Sequence, residues 1–217
     1  MPPSPRAQEQ TPARPRRLVV VVEDDEAMRA SIDGLLRSVG IETRLFASAQ
    51  ALLDAGMPPE AGCLVVDVLM PRISGLELQA RLAERGCIIP IVFVTGYGDV
   101  PMAVQAMRNG ALDVLVKPFR DQELIDAVEA AFARHAGEAE AERGRAELQA
   151  RYDALTPRER EVMGLIVRGR LNKQIAAELG IAEITVKVHR AGMFRKMGVA
   201  GVAELVRAVE TLERQGD

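Results

Sequence analysis

Four short stretches of this sequence end in residues suited to phosphate and cation chemistry. Glu23-Asp24-Asp25 closes one apolar run and Asp67 closes another, Leu64-Val65-Val66. Thr95 closes Pro90–Thr95 (PIVFVT), and Lys117-Pro118 follows Ala111–Val116. Carboxylates held together repel one another unless a cation joins them. An all-oxygen donor set favours a hard ion such as Mg²⁺, which keeps waters and often sits against phosphate. Beside such an ion Asp67 is a carboxylate nucleophile. An arriving phosphoryl group would meet positive charge from the ion and from Lys117, and a hydroxyl donor in Thr95. Taken singly, an acidic cluster is an ordinary solvated face and a Lys-Pro step a simple turn. Five side chains meeting at one sheet edge make the functional reading the stronger one.

That edge has to be built by the elements around it. Leu18–Val22, Ile41–Phe46, Leu64–Val66, Pro90–Thr95 and Ala111–Val116 read as strands, apolar on both faces where the run is continuous. Between them, apolar residues recur at helical spacing. Met28, Ile32, Leu35, Leu36 and Val39 run up to Gly40, and Ser48 is placed to N-cap Ala49–Ala55. Leu76, Leu78 and Leu82 follow Gly75, Val100–Met107 is closed by Asn109-Gly110, and Asp121 is expected to N-cap a helix containing Leu124, Ile125, Val128 and Phe132. Five β/α units predict a doubly wound α/β fold with a parallel sheet and right-handed crossovers. An Asp at the C-terminal end of a central strand then lies where such sheets hold their ligands.

Composition sets the outer limits. The 217 residues allow two small domains, and the 48% apolar content supports real cores. With 3% aromatics and no Trp, those cores must be aliphatic. No apolar run is long enough to span a bilayer, and Leu18–Val22 is too short for a signal-peptide core, so a soluble cytoplasmic protein is expected. Cys63 and Cys87 are read as thiols packed on neighbouring strands rather than as a disulfide. Residues 1–16, with five prolines, are expected to be a disordered tail. The net charge of −3 hides an asymmetry: from Arg151 onward twelve Lys+Arg face nine Asp+Glu, a surplus of +3, and the remainder carries −6. The back of the chain is therefore the better partner for a polyanion.

Residues 136–152 are Ala, Glu and Arg with little apolar content, an exposed helix or a flexible linker. Beyond them the periodicity is helical only. Thr156 as N-cap, Pro157 at the first helical position and Glu159 in the first turn form a strong start signal. Asn172–Leu179, a turn at Gly180, and a longer helix Ile184–Met197 carrying Lys187, His189, Arg190, Arg195 and Lys196 are the ingredients of a helix-turn-helix.

These residues carry a resemblance. Residues 17–135 resemble the receiver domain of two-component response regulators, and 153–217 resemble a LuxR-type output domain. The stretch from Val94 to Met107 (VTGYGDVPMAVQAM) is similar to the FixJ-like branch. The resemblance implies a sheet of order 2-1-3-4-5 followed by a small all-α domain. It implies Asp67 as phosphoacceptor, Lys117 as phosphate-binding lysine and Thr95 as switch hydroxyl. Asp24 becomes a direct Mg²⁺ ligand with Glu23 acting through water, Leu69 offers its backbone carbonyl, and the Lys117–Pro118 bond is cis. Where the family usually has an aromatic residue three before the lysine, this chain has Val114, with Tyr97 the nearest substitute; Leu69 also stands where that branch is often polar.

Leu155–Glu161, Asn172–Ala176 and Thr185–Arg190 match the three signature segments of the LuxR-type domain. Ala176, Ala177 and Gly180 are small where two helices should cross, with Ile175, Leu179, Ile181 and Val186 filling the core. Lys187 can reach guanine acceptors and Val188 a thymine methyl. Asn172, Lys173, Thr185, His189 and Arg190 suit phosphate contacts, with a capped core histidine the alternative for His189. Ala191 occupies a position that can be basic in the family. The last helix, Ala203–Leu212, resembles the dimerisation helix, with Val202, Leu205, Val206 and Val209 as its apolar face. The implied function is a regulator phosphorylated by a histidine kinase on Asp67 with Mg²⁺, then binding double-stranded DNA as a homodimer. The alternative is a phosphorylation-independent DNA-binding regulator whose receiver is a dimer or partner scaffold. An enzyme turning over an external phosphate substrate is disfavoured, because nothing else in the chain could shape a substrate pocket.

Overall fold

A computed structural model describes residues 17–96 and 100–213; the expected tail at 1–16 and Tyr97 lie outside the described residues. The chain divides after Gly137 into two compact units. In the first, strands β1 (Leu18–Val22), β2 (Glu42–Phe46), β3 (Ala61–Asp67), β4 (Ile91–Thr95) and β5 (Asp113–Val116) alternate with helices α1 (Glu26–Ser38), α2 (Ala49–Ala55), α3 (Gly75–Glu84) and α4 (Val100–Arg108). Helix α5 (Asp121–Asp153) follows, and the output unit carries α6 (Pro157–Val167), α7 (Asn172–Leu179), α8 (Glu183–Met197) and α9 (Val202–Glu213).

All strand pairs are parallel and the order is β2-β1-β3-β4-β5. Alternation along each strand splits the apolar residues between two cores. Val20, Val22, Leu64, Val66 and Phe93 pack with α2, α3 and Ala106 of α4. Val19, Val21, Val65, Val92 and Val94 pack with Ile32 and Leu36 of α1 and Leu124, Ala127 and Val128 of α5. Helices on both faces explain why the central strands read as unbroken aliphatic runs.

Several boundaries differ from the sequence reading. β3 starts at Ala61, while Ile41, Pro90, Ala111 and Leu112 lie outside the strands. Asp121 is the first helical residue of α5 rather than its cap; the carboxylate of Glu123 instead accepts from the Arg120 N–H at 2.9 Å. Cys63 and Cys87 are free thiols. They sit in opposite cores, and Cys87 precedes β4 instead of lying in a strand. Burial pushes the Cys63 thiol far above its ordinary range. Residues 136–152 are helical, as part of the 33-residue α5. Among the described residues no helix is long and apolar enough to cross a membrane.

The output unit closes around Val162, Leu165, Ile166, Ile175, Val186, Met193, Met197 and Leu205. Leu179 and Ile181, expected inside the core with Ile175 and Val186, are partly buried and pack against it. Thr156 caps α6 through a reciprocal capping box with Glu159. Of the three residues read as small for a close crossing, only Ala176 is buried; Ala177 is exposed. Gly180 is needed instead for its left-handed φ of 64°. The apolar residues of α9 also divide. Leu205 is fully buried and Val209 packs on the domain's own core, whereas Val202 is turned outward.

Candidate functional site

Strand register assembles the acidic edge. Val22 pairs with Val66, so Glu23 and Asp67 leave their strands at the same level. Asp67 pairs with Val94, next to Thr95, and Thr95 pairs with Val116, next to Lys117. Glu23, Asp67 and Thr95 are buried, Lys117 is half-buried and Asp24 is exposed. The Lys117 ammonium donates to Glu23 Oε2 at 2.8 Å and to Asp67 Oδ2 at 3.0 Å. Asp67 Oδ1 accepts from the Leu69 N–H at 3.1 Å. The Lys117–Pro118 bond is cis, as the resemblance implied.

Carboxylate oxygens of Glu23, Asp24 and Asp67 lie within 4.8 Å of one another. Asp25 is not part of this group. Its side chain accepts from the Met28 N–H at 2.7 Å and caps α1. Gly75 lets α3 start against the acceptor strand, because a Cβ there would stand 2.4 Å from the Asp67 carbonyl oxygen. Arg29 was not singled out by the sequence. It reaches back along α1 and donates to the carbonyls of Glu23 at 2.7 Å and Asp24 at 3.3 Å, holding the acidic loop. Its spacing of one turn beyond the cap is the only sequence signal that could have found it.

The electrostatics are those of an incompletely neutralised site. Burial, reinforced by the charge of Asp67, raises the Glu23 pKa above the ordinary carboxylate value despite the bond from Lys117. For Lys117, burial alone would lower the pKa, but hydrogen bonds and charge from Glu23 and Asp67 outweigh it and raise it. Three carboxylates against one ammonium leave two negative charges. Oxygen-only donors, closely spaced and under-neutralised, fit a hard divalent cation such as Mg²⁺.

The second unit gathers the other candidates on α7 and α8. Asn172 and Lys173 open α7, and Lys187 and Val188 are exposed on α8. Thr185, His189 and Arg190 are half-buried. Arg190 ties the two helices by donating to Asn172 Oδ1 at 3.3 Å, and its guanidinium lies 5.3 Å from the centre of the Phe194 ring. In the last turn of α8, Lys196 donates to Glu159 Oε2 at 2.7 Å, and the same oxygen accepts from the Thr156 N–H at 2.8 Å. These bonds lower the Glu159 pKa, the Lys196 contact most. Sequence reading also passed over Ile184, an exposed aliphatic side chain in the first turn of α8.

Comparison with known proteins agrees with this architecture. The family model for the response regulator receiver domain matches residues 19–129, and that for bacterial regulatory proteins of the luxR family matches 153–209. Nodulation protein W of Bradyrhizobium diazoefficiens is 50% identical over 202 residues, covering 93% of this chain and 89% of that protein. Transcriptional regulatory protein FixJ of Azorhizobium caulinodans is 47% identical over 189 residues, covering 87% and 90%. Among solved structures, response regulator StyR superposes with a TM-score of 0.78 at 46% identity, covering 89% of this chain and 98% of that one. Fold and matches together define the class: a receiver domain followed by a LuxR-type DNA-binding domain. The chain belongs to the two-component response regulators, in their FixJ-like branch. It is a transcription regulator, not a substrate-turnover enzyme.

Proposed function

We propose that Asp67 accepts a phosphoryl group from a phosphohistidine of a partner kinase. An Asp67 carboxylate oxygen attacks phosphorus while the P–N bond breaks, and its electron pair leaves with the imidazole. Asp24 and Asp67 would hold Mg²⁺ directly, Glu23 through water and Leu69 through its backbone carbonyl. When bound, the ion supplies charge neutralisation for the transferred group. Lys117 then moves its hydrogen bond from Asp67 to a phosphoryl oxygen, and the Thr95 hydroxyl turns to another. The observation that carries this reading is the Lys117 ammonium bridging Glu23 and Asp67 inside a 4.8 Å carboxylate cluster.

Phosphorylation repacks the face made by α4, β5 and α5, and two chains pair. Two linked output domains then bind paired half-sites far more tightly than one. Asn172, Lys173, Thr185, His189 and Arg190 grip phosphates, while Lys187 and Val188 read bases. The protein works in the cytoplasm, where kinase and DNA are both within reach.

The test is intact mass and oligomeric state after acetyl phosphate with Mg²⁺, for wild type and Asp67→Asn. A single phosphoryl adduct confined to wild type, with a shift to dimer, is expected. No adduct in wild type would overturn the reading. Val114 favours the second reading, a receiver that acts without phosphorylation, because it removes the ring that usually couples to the switch hydroxyl. Equal DNA affinity for wild type and Asp67→Asn, with or without acetyl phosphate, would establish it.

A further inference from the structure

Helix α8 is apolar on both sides. Val186, Met193 and Met197 are fully buried and hold it against the domain core. On the opposite side Ile184, Val188, Ala191 and Arg195 follow at spacings of four, three and four, which keeps them on one face. Ile184 is 68% exposed and Val188 65%. Single exposed aliphatics are common, but these two lie one turn apart and join into a stripe that Ala191 extends.

Polar residues border the stripe on both sides. Thr185 and His189 lie along one edge, and Lys187 and Arg190 along the other. Three of these four are half-buried, as residues between a buried and an exposed face must be. The helix carries four Lys/Arg against one acidic residue, Glu183. An apolar protein surface would meet this basic border at a desolvation cost. A major groove presents two phosphate ridges with a floor of base edges between them, and the thymine C5-methyl is the aliphatic group on that floor.

We propose that Ile184, Val188 and Ala191 form a methyl-reading stripe, so that each operator half-site carries thymines beneath them and A·T pairs are selected there. This rests on the DNA-binding reading above, in which Val188 meets a thymine methyl, and extends that contact to Ile184 and Ala191. Ala191, by its small size, lets the backbone of α8 approach the groove floor. A guanine or adenine edge in the same place would leave its hydrogen-bonding groups facing aliphatic carbon.

The experiment starts from duplexes selected by the acetyl-phosphate-treated full-length protein from a randomised library. Each thymine of the selected half-site is then replaced by deoxyuracil, which removes only the methyl. Affinity is expected to fall about fourfold at each contacted position, the scale of one buried methyl. In Ile184→Ala, an exposed change that leaves the core intact, one of these sensitivities disappears. In Ala191→Lys, the thymine preference at one position is replaced by guanine. Sequence-selective binding that ignores every uracil replacement would overturn the methyl reading while leaving DNA binding standing. A fall to monomer in DNA-free Ile184→Ala, without uracil sensitivity in wild type, would overturn it in favour of a protein interface. Absence of binding to any duplex would overturn both.

Discussion

The two units each contain a lysine bonded to a buried carboxylate, and the two contacts behave oppositely. In the receiver, Lys117 is shared between Glu23 and Asp67, with Asp24 close by, and the Glu23 pKa is raised. In the output domain, Glu159 receives Lys196, the Thr156 N–H and the Thr156 hydroxyl, and its pKa is lowered. One carboxylate is satisfied several times over; the others compete for a single cation. The first arrangement fastens a helix. The second still has room for positive charge, and that is what separates a site from a staple.

The largest expected effect breaks the receiver side. Lys117→Ala should slow phosphorylation by acetyl phosphate about 10²–10³-fold, the scale of losing one donor to developing charge. It should also increase the gain in melting temperature on adding Mg²⁺, since the ammonium bonded to Glu23 and Asp67 no longer offsets their charge. Adduct formation over time and thermal melts check both.

Next come the glycines that serve each site. A Cβ at Gly75 meets backbone, with Asp67 O at 2.4 Å, and cannot be accommodated by a side-chain movement. Gly75→Ala should therefore cost the receiver about 3 kcal/mol in denaturant melts. A Cβ at Gly192 meets the end of the Glu159 side chain, Oε1 at 2.6 Å and Cδ at 3.7 Å. Gly192→Ala should stay within about 1 kcal/mol of wild type, because the helix propensity gained offsets the displaced carboxylate.

Between these lies Glu159→Gln, expected to destabilise the output domain by about 1–3 kcal/mol and leave phosphorylation unchanged. The pH dependences separate the two carboxylates. With its folded pKa lowered, Glu159 contributes stability that is present above the unfolded carboxylate pKa of about 4.3 and lost as pH falls through the folded value. With its folded pKa raised, Glu23 has the opposite sign: it opposes folding increasingly as pH rises from the unfolded value through the folded one. Glu159→Gln should flatten the acid limb of output-domain melting. Glu23→Gln should raise the Mg²⁺-free stability of the receiver at neutral pH while reducing its gain from Mg²⁺.

The receiver was more legible in the sequence than the output domain. Buried parallel strands are written as runs such as Leu64-Val65-Val66, and the residue ending each run lands on the ligand edge whatever the details of packing. Asp67, Thr95, Glu23 and Lys117 could therefore be placed together from pattern alone. Arg29 was missed, because its bonds go to backbone carbonyls and its one signal is its place a turn beyond the α1 cap. On α8, apolar residues on both faces cancel the amphipathic pattern, so nothing singled out Ile184, which is exposed. On α9 the pattern showed an apolar face without showing what it covers, and much of that face turns onto the domain's own core. The Cys63–Cys87 relation failed for a similar reason: strand alternation and a turn separate them into different cores.

The central claim is that the receiver cluster is under-neutralised, with three carboxylates around one ammonium, whereas the Glu159 carboxylate is matched by Lys196. Hydrogen exchange of the full chain, read peptide by peptide with and without Mg²⁺, tests it directly, since a ligand of the native state slows local opening where it binds. Peptides covering Glu23–Asp25 and Asp67–Gly75 should gain protection, and those covering Thr156–Arg160 and Gly192–Met197 should not change. Unchanged exchange at both receiver peptides, or equal protection at all four, would contradict the account.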